Sequence, residues 1–270
     1  MTTKHEYVHG YSGREEDRLV DQATTLTELL HHDTRYPAGA MVLEAGCGVG
    51  AQTVALATRS PGAKILSVDI SAESLAAARG RTRAAGITNV TFQQADLHAL
   101  PSSPESFDHV FVCFVLEHLT RPGQALAALK PLIKPGGTIT VIEGDHGSTY
   151  FHPESSDARK AIDCLIELQA RAGGDSLIGR SLYPLLVKAG FKRVEVSPRM
   201  VYVDASRPQL VEGFTKRTFT AMVEAVGERA IAEGLIDERT WERGIRDLYR
   251  TAGPDGTFCY TFFKAMAHKG

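Results

Sequence analysis

The chain has 270 residues, which allows one or two domains. Its composition, 43% hydrophobic and 23% charged, is that of a folded globular protein and argues against a disordered chain. Thirty Lys and Arg against thirty-two Asp and Glu leave a net charge of −2, so no global charge draws it to nucleic acid or to an anionic membrane.

No apolar run approaches the roughly 20 residues of a membrane span, and Met1 to Tyr11 lacks the apolar stretch of a secretion signal. Cys47, Cys113, Cys164 and Cys259 are far apart and show no CxxC spacing. A disulfide framework or structural zinc is not expected, and a reducing cytoplasm is. Neither a nucleic-acid nor a membrane partner is expected. Homo-oligomerisation through the long helical segments stays an open alternative.

In chain order, residues 13–32 read as a helix, with Leu19, Ala23, Leu26, Leu29 and Leu30 at helical spacing. Tyr36-Pro37-Ala38-Gly39 breaks it. Strand-like and helix-like segments then alternate. Met41-Val42-Leu43 is a strand that enters a glycine turn and a helix over 51–59. Residues 64–68 form a second strand ending at Asp69, and Ser71 caps the helix after it. Val90-Thr91-Phe92 is a third strand ending before Asp96, and residues 107–114 are a fourth. A helix covers 122–132, Lys134-Pro135-Gly136-Gly137 turns, and residues 138–142 form a fifth strand.

This alternation predicts right-handed βαβ crossovers and a parallel sheet covered on both faces. The expected fold is α/β, a doubly wound, mostly parallel seven-stranded sheet. Ligands bind beyond the carboxyl ends of such strands. Those ends carry Glu44 to Gly50, Asp69, Asp96, Phe114 to His118 and Glu143 to Tyr150. In the second half, helices are expected over 154–172, 182–189 and 208–250, with strands at 194–203 and 257–267. One domain over residues 1–270 is expected. Its core covers about 36–150, 175–204 and 256–268, and its helical cover about 1–35, 151–174 and 205–255.

Val42-Leu43-Glu44-Ala45-Gly46-Cys47-Gly48-Val49-Gly50 is the strongest local signal. An apolar strand runs into glycines that tolerate positive φ and admit close approach of a ligand. A dinucleotide fingerprint wants G-x-G-x-x-G, but Ala51 stands where its third glycine belongs. Asp69 and Asp96 close the next two strands. A carboxylate at Asp69 suits a ribose diol, and Asp96 suits an exocyclic amine; singly, each also reads as a helix cap or a solvated acid.

With Val68-Asp69-Ile70-Ser71, Gln94-Ala95-Asp96-Leu97, Phe107-Asp108-His109-Val110, Leu116-Glu117-His118-Leu119 and Leu132-Ile133-Lys134-Pro135-Gly136-Gly137, residues 40–145 resemble the class I S-adenosylmethionine-dependent methyltransferases. The resemblance implies S-adenosyl-L-methionine as cofactor and a terminal antiparallel hairpin in the sheet. It implies that Gly46, Cys47 and Gly48 lie under the methionine portion, and that Glu44 orients that loop. Asp69 would hold the ribose with Ile70 against the adenine, and Asp96 and Leu97 would meet the adenine edge. Phe114, His118, Gln52 and Tyr11 complete the implied cofactor set.

Methyl transfer from a sulfonium is an in-line displacement, so placement supplies much of the catalysis, and a base matters only if the nucleophile must lose a proton. His146 and Glu143 are the candidate catalytic groups, in a stretch read as a loop after strand five. The bland alternative is a hydrogen-bonded turn. Tyr7, Tyr11, Tyr183, Arg199 and Tyr202 are candidate acceptor contacts; an arginine such as Arg199 is more often an ion pair. His5 and His9 lack a third ligand, so no metal is expected. The expected acceptor is a small, apolar or aromatic molecule, such as an indole or a phenol, in secondary metabolism, with C-, N- and O-methylation all open. The rivals are an RNA or protein methyltransferase and a non-catalytic cofactor-binding module.

Overall fold

A computed structural model describes residues 25–270. Residues 25–31 form α1. Then follow β1 (Met41–Ala45), α2 (Ala51–Arg59), β2 (Lys64–Asp69), α3 (Ala72–Ala84), β3 (Val90–Gln94), β4 (Phe107–Cys113), α4 (Pro122–Leu129) and β5 (Ile133–His152). The second half contains α5 (Ser156–Arg171), α6 (Leu182–Lys188), β6 (Lys192–Asp204), α7 (Pro208–Leu210), α8 (Ala221–Glu224), α9 (Gly227–Ala232), α10 (Glu238–Arg250) and β7 (Thr257–His268).

The strands form one seven-stranded sheet in the order β3-β2-β1-β4-β5-β7-β6. β1 pairs parallel with β2 and with β4, β2 with β3, and β4 with β5. This is the expected doubly wound α/β fold, with the strand order reversing on either side of β1. β7 lies between β5 and β6, as a terminal hairpin requires.

The described chain divides into two compact units. One contains Thr27–Gly144, Ile178–Arg199 and Phe262–Gly270. On one face of its strands, Leu43, Val68, Val110, Val112, Ile139 and Val141 pack with Leu126 and Leu129 of α4 and Leu182 and Leu186 of α6. Ser71 caps α3 as expected, its hydroxyl accepting the Ser74 N–H at 3.1 Å.

The other unit contains Asp145–Leu177 and Met200–Thr261. Here Ser155 caps α5 by accepting the Ala158 N–H and also donates to Asp247 of α10 at 2.6 Å. Asp237 caps α10 through the Thr240 N–H. The long helix expected over 208–250 is instead broken. Val211–Thr220 is π-helical, and the chain turns back after α8 so that Trp241 lies on Gly227, where an added Cβ would come 2.5 Å from the indole nitrogen.

β5 also departs from expectation. Residues 143–150 continue the strand rather than leaving it, and the 134–137 turn lies inside it as an irregularity opposite Phe107 and His109. The polar residues that read as a loop have strand-compatible partners. Asp145 Oδ1 accepts the Gly147 N–H at 3.0 Å, and Ser148 Oγ donates to the Asp145 carbonyl at 2.7 Å while accepting the Thr261 N–H.

Candidate cofactor and acceptor sites

The glycine turn leaves the end of β1. Gly46 and Cys47 both donate their N–H to the Val68 carbonyl, at 2.8 and 2.9 Å, which folds the turn back over β2. Gly46, Gly48 and Gly50 all have positive φ. A side chain at Gly46 would strike Val115, and one at Gly50 would strike Ala78. Gly48 differs: among the described residues nothing lies within 4 Å of where its Cβ would be, so its backbone faces open space there.

Asp69, at the end of β2, holds this turn. Its Oδ2 accepts the Gly48 N–H at 2.8 Å, and its Oδ1 accepts the Ser71 N–H at 2.9 Å. Each carboxylate oxygen keeps a second lone pair for a ligand. Ile70 follows with its side chain 62% exposed, an apolar surface at the rim of a buried sheet. Asp96 is exposed beyond β3 and binds His98, its Oδ1 accepting the backbone N–H at 2.9 Å; Leu97 is half-buried.

Glu44 is buried beneath the turn. Ser67 and Thr53 donate to its Oε2 at 2.5 and 2.8 Å. Burial pushes its carboxyl up to about 7, with the charge of Asp69 adding and the two hydroxyls opposing. Burial likewise pushes the Cys47 thiol up, so it is inert as a nucleophile.

After β4 the chain turns sharply at Phe114, whose φ is +56° and whose N–H is held by the Ile142 carbonyl. Glu143 fixes the residues that follow. Its Oε1 accepts the N–H groups of Val115 and Leu116, at 3.0 and 2.8 Å, and Val115 is the residue packed on Gly46. Glu143 is fully buried, and its Oε2 has no hydrogen-bond partner among the described residues. Desolvation and the neighbouring Glu117 raise its pKa well above the usual carboxylate range. His118 is half-buried with Nε2 at 3.6 Å from Glu117.

Gln52, in the first turn of α2, binds His31, a residue with no motif to announce it. Arg199 donates to Asp33 at 2.5 Å, the ion pair given above as its alternative, and also contacts the His32 ring. Tyr183 on α6 is 57% exposed. Tyr7 and Tyr11, like His5 and His9, lie outside the described residues. No His, Cys, Asp and Glu cluster suited to a metal occurs among the described residues.

In the other unit, His146 is buried and its Nδ1 lies 2.8 Å from the Tyr260 hydroxyl. Phe219 meets the imidazole edge-on at 6.1 Å, and Phe214 and Phe219 both pack on Tyr260. Tyr202 on β6 is 44% exposed. Tyr260 was not singled out from sequence; its place in an alternating aromatic strand was the available signal.

An open glycine backbone, a carboxylate beside it and a bare apolar side chain fit a nucleoside joined to an amino acid. Comparison with known proteins agrees. A family model described as a methyltransferase domain matches residues 37–190. The chain belongs to the class I S-adenosylmethionine-dependent methyltransferases. It is 31% identical over 219 residues to a 37.1 kDa protein of transposon TN4556 from Streptomyces fradiae, covering 80% of this chain and 59% of the relative. It is 40% identical over 103 residues to the ubiquinone biosynthesis O-methyltransferase of Methylococcus capsulatus, covering 38% and 42%. Its fold is similar to that of Haemonchus contortus phosphoethanolamine N-methyltransferase 2, solved with phosphomonomethylethanolamine and S-adenosylhomocysteine. There the TM-score is 0.55 at 18% identity, over 92% of this chain and 52% of the other. The chain spans about half the length of these matched relatives. S-adenosylmethionine is the cofactor of this methyltransferase.

Proposed function

We propose that this protein methylates a small organic acceptor of apolar or aromatic character, in secondary metabolism and in the cytoplasm. The observation that carries the cofactor half is the Asp69–Gly48 bond beside a glycine backbone with open space among the described residues and an exposed Ile70. S-adenosylmethionine supplies a methyl group already activated on sulfur. Gly46 to Gly48 and Gln52 would hold its amino-acid end, Asp69 its ribose, and Ile70, Asp96 and Leu97 its adenine. Phe114 and His118 would flank it, and Tyr11 would close over it. Glu44 and Glu143 keep the two turns in place.

The acceptor half rests on the ring cluster about His146 in the second unit. Two phenylalanines and Tyr260 surround an imidazole that carries a hydroxyl partner. Such a cluster favours a planar apolar acceptor, and His146 is the group suited to take a proton from a phenol or an acidic ring position. Tyr7, Tyr183 and Tyr202 remain candidate contacts. The name of the ubiquinone-biosynthesis O-methyltransferase supports oxygen as one attacked atom, and C-, N- and O-methylation all stay within the reading. The four cysteines are free thiols, consistent with a reducing compartment.

Incubation with S-adenosylmethionine and a panel of phenols, indoles and quinols, followed by mass spectrometry, tests this. A product heavier by one methyl group, formed at least tenfold more slowly by His146→Phe, is expected. Methylation of RNA or protein but of no small molecule would replace this reading. Cofactor binding with no methylated product from any of these classes would favour a binding module.

A further inference from the structure

We infer that His31 is a positioning residue. It ends a one-way hydrogen-bond relay from Lys264 that locks the Gln52 amide with its N–H₂ toward the cofactor's carboxylate. The inference rests on the cofactor assignment above and adds residues that no motif marks. Every member lies in the unit that contains the glycine turn.

Lys264 is buried on β7 and donates three times, to Asp33 Oδ1 at 2.6 Å, Thr34 Oγ1 at 2.6 Å and the Leu30 carbonyl at 3.2 Å. An ammonium has three donors and no acceptor, so each direction is fixed. Asp33 is held ionised. Desolvation pushes its carboxyl up, but hydrogen bonds from Lys264 and Arg199 outweigh it and bring the pKa down to about 2.

Thr34 Oγ1 therefore accepts from Lys264, and its single proton is left for the atom on its other side, His31 Nδ1 at 3.4 Å. A ring nitrogen that accepts carries no proton, so in a neutral imidazole Nε2 does. His31 is fully buried, and burial brings its pKa down to about 4, so the ring is neutral. Its Nε2–H then donates to Gln52 Oε1 at 2.8 Å. With that oxygen occupied, Gln52 offers the ligand donors only.

The amino-acid end of the cofactor carries an ammonium and a carboxylate. The ammonium has no lone pair, so the carboxylate is the group an amide N–H₂ can serve. Without the relay the amide is free to turn its oxygen outward.

Nitrogen-15 NMR of the histidine rings reads the tautomer directly, in the protein without ligand. His31 is expected as the Nε2–H form, and Thr34→Val is expected to mix the two forms. The Nδ1–H form in the unmodified protein would overturn the relay. Calorimetry with S-adenosylhomocysteine and with 5′-methylthioadenosine, which lacks the amino-acid end, separates positioning from general loosening. Gln52→Ala is expected to weaken the first about tenfold, as for a bond to a charged group, and His31→Phe about fivefold, as for a neutral one. 5′-Methylthioadenosine should bind all variants alike, and the double variant should be no worse than Gln52→Ala. Equal weakening of both ligands, or His31→Phe and Thr34→Val binding S-adenosylhomocysteine as the unmodified protein does, would overturn the inference. Failure of the unmodified protein to bind either ligand would overturn the cofactor assignment itself.

Discussion

Asp69 Oδ2 accepts the Gly48 N–H at 2.8 Å, and this bond ties the end of β2 to the middle of the glycine turn that leaves β1. One carboxylate thus shapes the turn and faces the same space as the Gly48 backbone. Asp69→Ala leaves the N–H groups of Gly48 and Ser71 without their acceptor, and a loss of about 1–3 kcal/mol is expected. Asp69→Asn keeps one acceptor oxygen and should lose less. Denaturant unfolding of the three proteins checks the order; equal stabilities would show that the carboxylate does not hold the turn.

Gly50 has φ +78°, and a Cβ there would lie 2.8 Å from Ala78 Cβ on α3. Gly50→Ala combines a left-handed backbone with overpacking and should cost about 2–4 kcal/mol. Gly86 has φ +68° with nothing near its Cβ position, so Gly86→Ala should cost only about 1–2 kcal/mol. Thermal melts of the two variants give the comparison, and equal losses would contradict the close packing of α3 on the turn.

The parts of the fold that were legible in sequence obey local rules. The short apolar run Val42-Leu43 ends at Glu44 and the glycine turn, Val110-Phe111-Val112 is the continuous apolar run of a buried strand, and α2 and β3 fall close to where their patterns place them. What was not legible depends on partners distant in sequence. Glu143 to Tyr150 looks like a loop because its residues are polar, yet Ser148 is satisfied by Thr261, more than a hundred residues away. The break in the 208–250 helix brings Trp241 onto Gly227, a contact between residues 14 apart that local spacing does not announce. Glu143 reads as a candidate base, and the structure adds that its Oε1 accepts from two peptide groups, which sequence spacing does not reveal. Lys264, alone in an apolar strand, was a signal left unread.

Glu143 gives a test of protonation state. Burial and the neighbouring Glu117 raise its pKa and favour the neutral acid, and an amide oxygen accepts as a carboxyl oxygen does, so Glu143→Gln should retain both bonds to the 115–116 turn and nearly full stability. Glu143→Ala removes them and should cost about 2–4 kcal/mol. Chemical denaturation at pH 7 distinguishes the two. If Gln is as damaging as Ala, the group is ionised in the fold.

His31 predicts an acid limb of stability. Its folded pKa of about 4 lies below the ordinary 6.5 because burial disfavours the imidazolium. Between those values the unfolded chain binds the extra proton, so stability is complete above pH 6.5 and falls as pH drops toward 4. At about 1.4 kcal/mol per pKa unit the full effect is about 3 kcal/mol. His31→Phe should flatten that part of the stability–pH curve, as urea melts across the range would show; an unchanged slope would assign the acid limb to other groups.

Calorimetric titration of the unmodified protein and of Asp69→Ala with S-adenosylhomocysteine measures whether the Asp69 carboxylate holds the cofactor. Saturable one-to-one binding that weakens at least tenfold in a folded Asp69→Ala is expected. No binding by the unmodified protein, or the same affinity in both, would contradict it.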